Sequence, residues 1–167
     1  MPNPEKIVIN TGPILALVAA LGDLTVLRSI YQQVYVPFEV SQEVLTGGKA
    51  GFGVAQFEQA DWLIKWPQSI EIEAILANSL DVGEASVIQL ALNEKINTVC
   101  IDEAIGRRVA RLSGLSLTGS VGILLRAKKE GYPVSMEQAI RRMMAHGIWL
   151  SDGVIAFALT QAGENRR

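Results

Sequence analysis

The sequence predicts an α/β domain built on a parallel sheet, and three observations lead to this prediction. Short, wholly apolar runs at residues 7–9 and 99–101 are typical of strands that are buried on both faces. Segments with helical periodicity follow each run, so strands and helices alternate along the chain. The length of 167 residues and the hydrophobic fraction of 49% suit a sizeable core, and we expect a single domain over residues 1–167.

Prolines and glycines divide the first half of the chain into elements. A strand at 6–10 leads into a helix at 11–21, whose first turn contains Pro13, where a missing N–H costs little. A helix at 24–31, a strand at 34–36 and a helix at 37–46 follow. Four glycines within residues 47–53 predict a mobile loop. A short helix at 54–60, an apolar patch at 62–66 and a helix at 70–79 complete this half.

The second half begins with a helix that starts at 81–84 and runs to 94, where Asp81 and Glu84 have the spacing of a capping box. A strand at 98–101, a helix at 103–112 and a short strand at 115–117 come next. A helix that ends near residue 131 and helices at 135–145 and 151–162 finish the chain.

Charge is distributed unevenly along the chain. Residues 1–103 carry 13 acids and 5 bases, whereas residues 104–167 carry 4 acids and 10 bases. An acidic centre beside a basic surface suits a metal-dependent enzyme that acts on a polyanion. The alternative is that the basic clusters are solvated helix faces with ordinary i,i+3 and i,i+4 spacing.

The remaining composition indicates a cytoplasmic protein without a membrane span. The longest apolar run, at 14–21, is far shorter than the roughly 18 residues that a span requires. The first six residues lack the basic region and apolar core of a secretory leader. Cys100 is the sole cysteine and lies in an apolar strand, which favours a reducing compartment.

Isolated polar residues stand at the ends of the apolar runs. Asn10 and Thr11 follow the first strand, Asp102 follows the run at 99–101, and Glu84 shares a helix face with an apolar stripe. Ligands bind outside the carboxyl ends of parallel strands, and inward-facing carboxylates are costly unless they hold a cation. These positions therefore predict a metal site at one edge of the sheet.

The same residues resemble those of PIN domains, the fold of many metal-dependent ribonucleases, including the toxins of VapC-like toxin–antitoxin pairs. The matching segments are Ile9-Asn10-Thr11-Gly12-Pro13-Ile14, Glu43 on the helix after Val36-Pro37, Asp81-Val82-Gly83-Glu84-Ala85, Ile101-Asp102-Glu103, Gly106-Arg107-Arg108-Val109-Ala110, Thr118-Gly119-Ser120-Val121-Gly122-Ile123-Leu124 and Ala162-Gly163-Glu164. The resemblance implies a twisted parallel sheet with helices on both faces. It also implies hydrolysis of RNA phosphodiester bonds, a homodimer and an antitoxin partner.

The resemblance implies a site that binds Mg²⁺ or Mn²⁺. It assigns catalysis to Glu43, Glu84 and Asp102, and metal binding to Asn10, Glu84 and Asp102. We expect Thr11, Ser120, Arg107 and Arg108 to contact the RNA substrate, although the two arginines could instead pair with surface acids.

Two departures from the family pattern weaken this site. Asn10 stands where the family has Asp, and an amide offers one oxygen ligand without a negative charge. An acid that often follows the fourth strand is missing, and only Thr118 or Ser120 could take its place. Three full carboxylates remain where stronger members of the family have four.

Structural interpretations remain open beside the functional ones. Asn10 and Asp102 could cap the helices that follow them, and Glu39 could face the site instead of Glu43. Glu103 suits the solvated first turn of its helix. Trp149 suits a core or an interface better than a base-stacking platform.

Two functions remain open, and a third finds little support. The first is a metal-dependent endoribonuclease that acts as a toxin. The second is a catalytically weakened or inactive module that binds RNA or a protein partner, as Asn10 suggests. No phosphate-binding loop with Walker spacing is present, which argues against a nucleotide-binding protein.

Overall fold

A five-stranded sheet forms the centre of the protein in a computed structural model that describes residues 6–47 and 51–164. All strand pairs are parallel, and the strand order is β3-β2-β1-β4-β5. The strands are β1 (Lys6–Ile9), β2 (Gln33–Val36), β3 (Ile64–Lys65), β4 (Thr98–Cys100) and β5 (Ser116–Thr118). The predicted α/β class and parallel sheet are therefore confirmed.

Helices connect the strands and cover the sheet. Within the described residues they are α1 (Thr11–Leu21), α2 (Val26–Ile30), α3 (Phe38–Thr46), α4 (Val54–Gln59), α5 (Ala74–Ser79), α6 (Val82–Glu94), α7 (Ala104–Leu112), α8 (Ser120–Lys129), α9 (Met136–Ala145) and α10 (Asp152–Gln161). Ile7, Val8 and Ile9 in β1 are all fully buried. Successive side chains of a strand point to opposite faces, so helices cover both faces of the sheet.

Helix α6 is the most deeply buried helix near the centre of the sheet. It packs against β1, β4, α3, α5 and α7, and every residue from 83 to 91 is buried. Its two ends are exposed, at Val82 and at Glu94, whereas Glu84 in the first turn is only 5% exposed. The packing of α6 thus shields the carboxylate of Glu84 from most of the solvent.

The chain order places β1 and β4 side by side at the middle of the sheet. From β1 the chain proceeds outward through β2 to β3 and then returns to β4 on the other side of β1. The backbone N–H of Asn10 donates to the carbonyl of Cys100 across this junction at 3.1 Å. Ligands of open α/β sheets bind at such a reversal of strand order, so the residues after β1 and β4 lie at the expected binding position.

Two predicted elements differ from the structure. Part of the apolar patch at 62–66 forms the edge strand β3, because Ile64 and Lys65 pair with β2. The helix predicted at 70–79 begins only at Ala74. The backbone N–H groups of Ile70 and Glu73 instead donate to side chains of α3 and α6, which replaces the hydrogen bonds of a longer helix. The predicted loop at 47–53 lies partly outside the described residues.

The carboxylate of Glu164 joins three helices near the end of the described chain. It accepts hydrogen bonds from the backbone N–H groups of Met136 and Glu137 at 2.8 and 3.0 Å and pairs with Lys128. These N–H groups belong to the first turn of α9, where a negative charge is favoured. Burial opposes ionisation, but the bonds from Lys128 and the two N–H groups outweigh it and lower the pKa of Glu164 to about 2.

None of the described helices is both long and apolar enough to cross a membrane.

Candidate metal centre

Two buried oxygen atoms without hydrogen-bond partners mark the site. The side chain of Asn10, directly after β1, is 5% exposed, and so is that of Glu84 in the first turn of α6. Oδ1 of Asn10 and Oε2 of Glu84 find no hydrogen-bond partner among the described residues. An unsatisfied buried acceptor costs about 1–3 kcal/mol, and more when the group is charged. Both atoms are therefore available to a ligand.

Three carboxylates meet beside these atoms. Asp81, Glu84 and Glu103 offer oxygen atoms that all lie within 4.8 Å of one another. Asp81 precedes α6 and accepts the backbone N–H of Glu84 at 2.9 Å, which confirms its predicted capping role. Glu103 is exposed at the start of α7, which packs against α6. The closeness of these like charges is unfavourable unless a cation balances them.

Glu43 reaches the same place from α3. Its Oε1 accepts the hydroxyl of Thr11 at 2.5 Å. Glu39, the alternative on the same helix, accepts the backbone N–H of Ile70 with its Oε2 at 3.3 Å. The structure thus orients Glu43 toward Thr11 and Glu39 toward the segment that precedes α5.

Gly83 leaves room for these side chains to converge. A β-carbon at this position would lie 2.8 Å from Oε1 of Glu43, 3.3 Å from Oδ1 of Asn10 and 3.6 Å from Oδ1 of Asp81. The absence of a side chain at Gly83 therefore keeps open the space that three oxygen ligands surround. We call Asn10, Glu43, Asp81, Glu84 and Glu103 the acidic site.

Asp102 lies at the adjacent strand end and has partners of its own. Its two oxygens accept the backbone N–H and the hydroxyl of Ser120 at 2.8 and 2.9 Å. The carboxylate thereby caps the start of α8. It does not cap α7, the helix that follows it in the chain, whose N-cap residue is Glu103. Each oxygen retains a second lone pair, so these bonds orient Asp102 without using its full capacity as a ligand.

The predicted substrate-binding residues near Asp102 differ in their exposure to solvent. Ser120 is buried and bonded to Asp102, whereas Arg107 is half-buried and Arg108 is exposed. Nη1 of Arg107 donates to the carbonyl of Ile101 at 2.7 Å. This contact holds the guanidinium close to the end of β4, and its other N–H groups make no hydrogen bond to a described residue, so a substrate can accept them.

Electrostatics at the acidic site disfavour a charged Glu84. Burial, followed by the negative charges of Asp81 and Glu103, raises the pKa of Glu84 to about 7, although the backbone N–H of Asp81 opposes the shift. A bound cation favours the ionised form of Glu84 and would therefore lower this pKa.

The acidic site fits a hard divalent cation. Its donors are carboxylate and amide oxygens, which Mg²⁺, Mn²⁺ and Ca²⁺ prefer, and two of them are buried and unpartnered. Sequence reasoning missed Asp81 and Glu103 as candidate ligands. The signal was their spacing, since Asp81 lies three residues before Glu84 and Glu103 directly follows Asp102.

Comparison with known proteins gives one match. A family model described as "DUF3368: PIN domain" matches residues 6–164. No curated protein and no solved structure matches the chain.

Proposed function

The chain belongs to the PIN-domain family, and we propose that it hydrolyses RNA phosphodiester bonds at the acidic site with Mg²⁺ or Mn²⁺ as cofactor. The observations that carry this proposal are two buried, unpartnered oxygens that each lie beside carboxylates: Oδ1 of Asn10 lies with Glu43 and Asp81 around Gly83, and Glu84 lies with Asp81 and Glu103. Repulsion among these carboxylates and the cost of the orphaned acceptors are both relieved by one divalent cation.

Glu84 and Asn10 are the ligands we assign first, because their free oxygens are the buried ones. Asp102 is the third ligand that we assign; it lies at the adjacent strand end, beside the acidic site, and Ser120 holds it in one orientation. The chemistry that such a cation supplies when bound is the activation of water and the neutralisation of charge on the phosphate.

Glu43 is suited to accept the proton of the attacking water. Its Oε1 is engaged by Thr11, which leaves Oε2 of an exposed carboxylate as the basic atom. Arg107, fixed by Ile101, and the exposed Arg108 supply positive charge for the phosphates on either side.

Asn10 leaves two functions to compare, a working ribonuclease and an inactive binding module. It supplies an oxygen but no charge, which lowers the affinity for a divalent cation. Asp81 and Glu103 add negative charge near Glu84, and this observation favours a working site. The alternative is an inactive module that binds RNA or a protein partner through the same fold.

A cleavage assay separates these functions. The purified protein is incubated with a structured RNA pool in EDTA, Mg²⁺ or Mn²⁺, beside Glu84→Gln, Asp102→Asn and Asn10→Asp. Glu94→Gln is the control, because Glu94 is exposed at the far end of the same helix. We expect metal-dependent cleavage that Glu84→Gln and Asp102→Asn abolish, that Glu94→Gln preserves and that Asn10→Asp enhances.

If the native protein does not cleave RNA but Asn10→Asp does, the result would support the inactive module. Normal cleavage by both Glu84→Gln and Asp102→Asn would contradict the assignment of the site. Calorimetric titration with Mn²⁺ measures metal binding independently of the choice of RNA. Glu84→Gln should weaken the binding of Mn²⁺.

We further propose that the protein acts in the cytoplasm as a homodimeric toxin with an antitoxin partner, as the family resemblance implies. Expression of the native chain should slow growth of its host, and Glu84→Gln should relieve the effect. Sedimentation of the purified protein tests the homodimer.

A further inference from the structure

Two aromatic side chains near Asp102 are exposed to an unusual degree. Trp149, between α9 and α10, is 80% exposed, and Phe157 on α10 is 57% exposed. Large aromatic groups are mostly buried in folded proteins, so an exposed pair indicates a surface that contacts a ligand. Trp149 is therefore not a core residue, and of the two positions expected for it, core or interface, only the interface remains open.

Both aromatic rings line a cleft of about 600 Å³ that reaches the end of β4. Asp102, Arg107 and Ser120 lie at that end, and Leu125, Ile148 and Leu150 contribute apolar walls. The cleft therefore begins beside the residues assigned to the reaction.

A second depression continues this cleft along α8 and α10. It shares Leu125 and Phe157 with the first and is lined further by Arg126, Lys128 and Lys129. Lys128 pairs with Glu164, and Arg126 pairs with Glu130, whereas the exposed Lys129 makes no ion pair among the described residues. We call the combined surface, from Arg107 to Lys129, the aromatic cleft.

We propose that the aromatic cleft binds the single-stranded RNA that leads to Asp102, beside the acidic site. Bases stack on Trp149 and Phe157, while Arg107 and Lys129 contact phosphates at the two ends. This inference rests on the proposed ribonuclease function, because it assigns the path that the RNA strand takes across the surface.

Charge and chemistry favour RNA over a protein segment. Grooves that bind single strands combine basic groups along the backbone with aromatic rings that accept any base. The aromatic cleft has basic side chains at both ends and exposed rings between them. An apolar protein helix would fill the walls of the cleft but leave the basic ends without partners.

The test is the affinity of the full chain for a short, mixed-sequence single-stranded RNA carrying a fluorescent label, measured by anisotropy in EDTA. EDTA separates binding from cleavage. From the strength of base stacking we expect Trp149→Leu to weaken binding about tenfold, whereas Trp149→Phe keeps most of the affinity because it keeps a ring. Leu112→Ala is the control, since Leu112 is 79% exposed on α7 and lies outside the aromatic cleft.

Salt dependence tests the phosphate contacts. Each phosphate contact on a single strand contributes about 0.7 to the slope of log affinity against log salt. Lys129→Gln should lower that slope by about this amount, and Arg111→Gln, a change on α7 outside the aromatic cleft, should leave the slope unchanged.

The outcomes distinguish this inference from the proposed function. Wild-type affinity in Trp149→Leu overturns the inference, even if the native protein cleaves RNA. Ring-dependent binding in a protein that never cleaves supports the aromatic cleft and removes the ribonuclease proposal. Unchanged RNA affinity together with a dimer that Trp149→Leu dissociates would identify the surface as a protein interface and contradict the inference.

Discussion

A single methyl group at Gly83 should impair the acidic site while the protein stays folded. In Gly83→Ala the new β-carbon would lie 2.8 Å from Oε1 of Glu43 and 3.3 Å from Oδ1 of Asn10. The carboxylate of Glu43 is exposed and ends a flexible side chain, so it can move away. It then loses the hydrogen bond from Thr11, which uses the same oxygen atom.

The magnitude follows from these contacts. A hydrogen bond to a charged group contributes about 1.5–3 kcal/mol, so its loss should reduce kcat/KM roughly tenfold to a hundredfold. The same bond also stabilises the folded state, and alanine, a better helix former than glycine by up to about 1 kcal/mol, offsets only part of its loss, so the free energy of unfolding should fall by less than about 3 kcal/mol. Cleavage and thermal unfolding of the same preparation measure both effects.

Gly12→Ala is the matched control. Gly12 is the second residue of α1, as Gly83 is of α6, and a β-carbon there would meet no atom within 4 Å. It should keep full activity. Wild-type cleavage in Gly83→Ala, or equal losses in both variants, would refute the reasoning that this space belongs to the site.

Three further predictions concern stability and reactivity. Glu164→Gln should lower the free energy of unfolding by about 2 kcal/mol in urea at neutral pH, because it weakens charged hydrogen bonds to α8 and α9. The pKa of Glu164 falls from 4.5 to about 2 on folding, so its contribution to the free energy of unfolding is complete above about pH 4.5 and is lost as the pH drops toward 2. Glu164→Gln should therefore flatten the plot of unfolding free energy against pH in this range. An unchanged plot would contradict the role assigned to Glu164. Phe57→Ala should lower the free energy of unfolding by about 3–5 kcal/mol, since Phe57 is among the largest fully buried side chains. A decrease below about 1 kcal/mol in urea unfolding would contradict its role in the core. Burial raises the pKa of the Cys100 thiol, so a thiol reagent should modify it only after denaturation, and rapid labelling of the native protein would argue against a closed core.

The parts of the fold that the sequence predicts well are those with a local signal. The run at 7–9 is apolar throughout and precedes a helix, and it forms the fully buried strand β1. Strand β3 carries no such signal, because two residues show no periodicity and the pairing with β2 stabilises them. The helix at 70–79 is shortened for a related reason, since side chains of distant helices accept the N–H groups of Ile70 and Glu73.

The acidic site likewise combines residues with a local sequence signal and residues that only tertiary packing brings together. Asn10 and Glu84 are found from their places at a strand end and a helix start. The convergence of Asp81, Glu84 and Glu103 depends on the packing of α6 against α7, which spacing alone does not reveal. The sequence likewise shows that Trp149 is apolar, but only the structure shows that no described residue covers it.

The most direct measurement of the central claim is the location of Mn²⁺ by anomalous diffraction from crystals of the native protein grown with the ion. We expect a peak within coordination distance of Oε2 of Glu84 and Oδ1 of Asn10, at about 2.0–2.3 Å, and its loss in Glu84→Gln. A peak elsewhere on the protein with none at these two atoms would contradict the assignment of the acidic site as a metal centre.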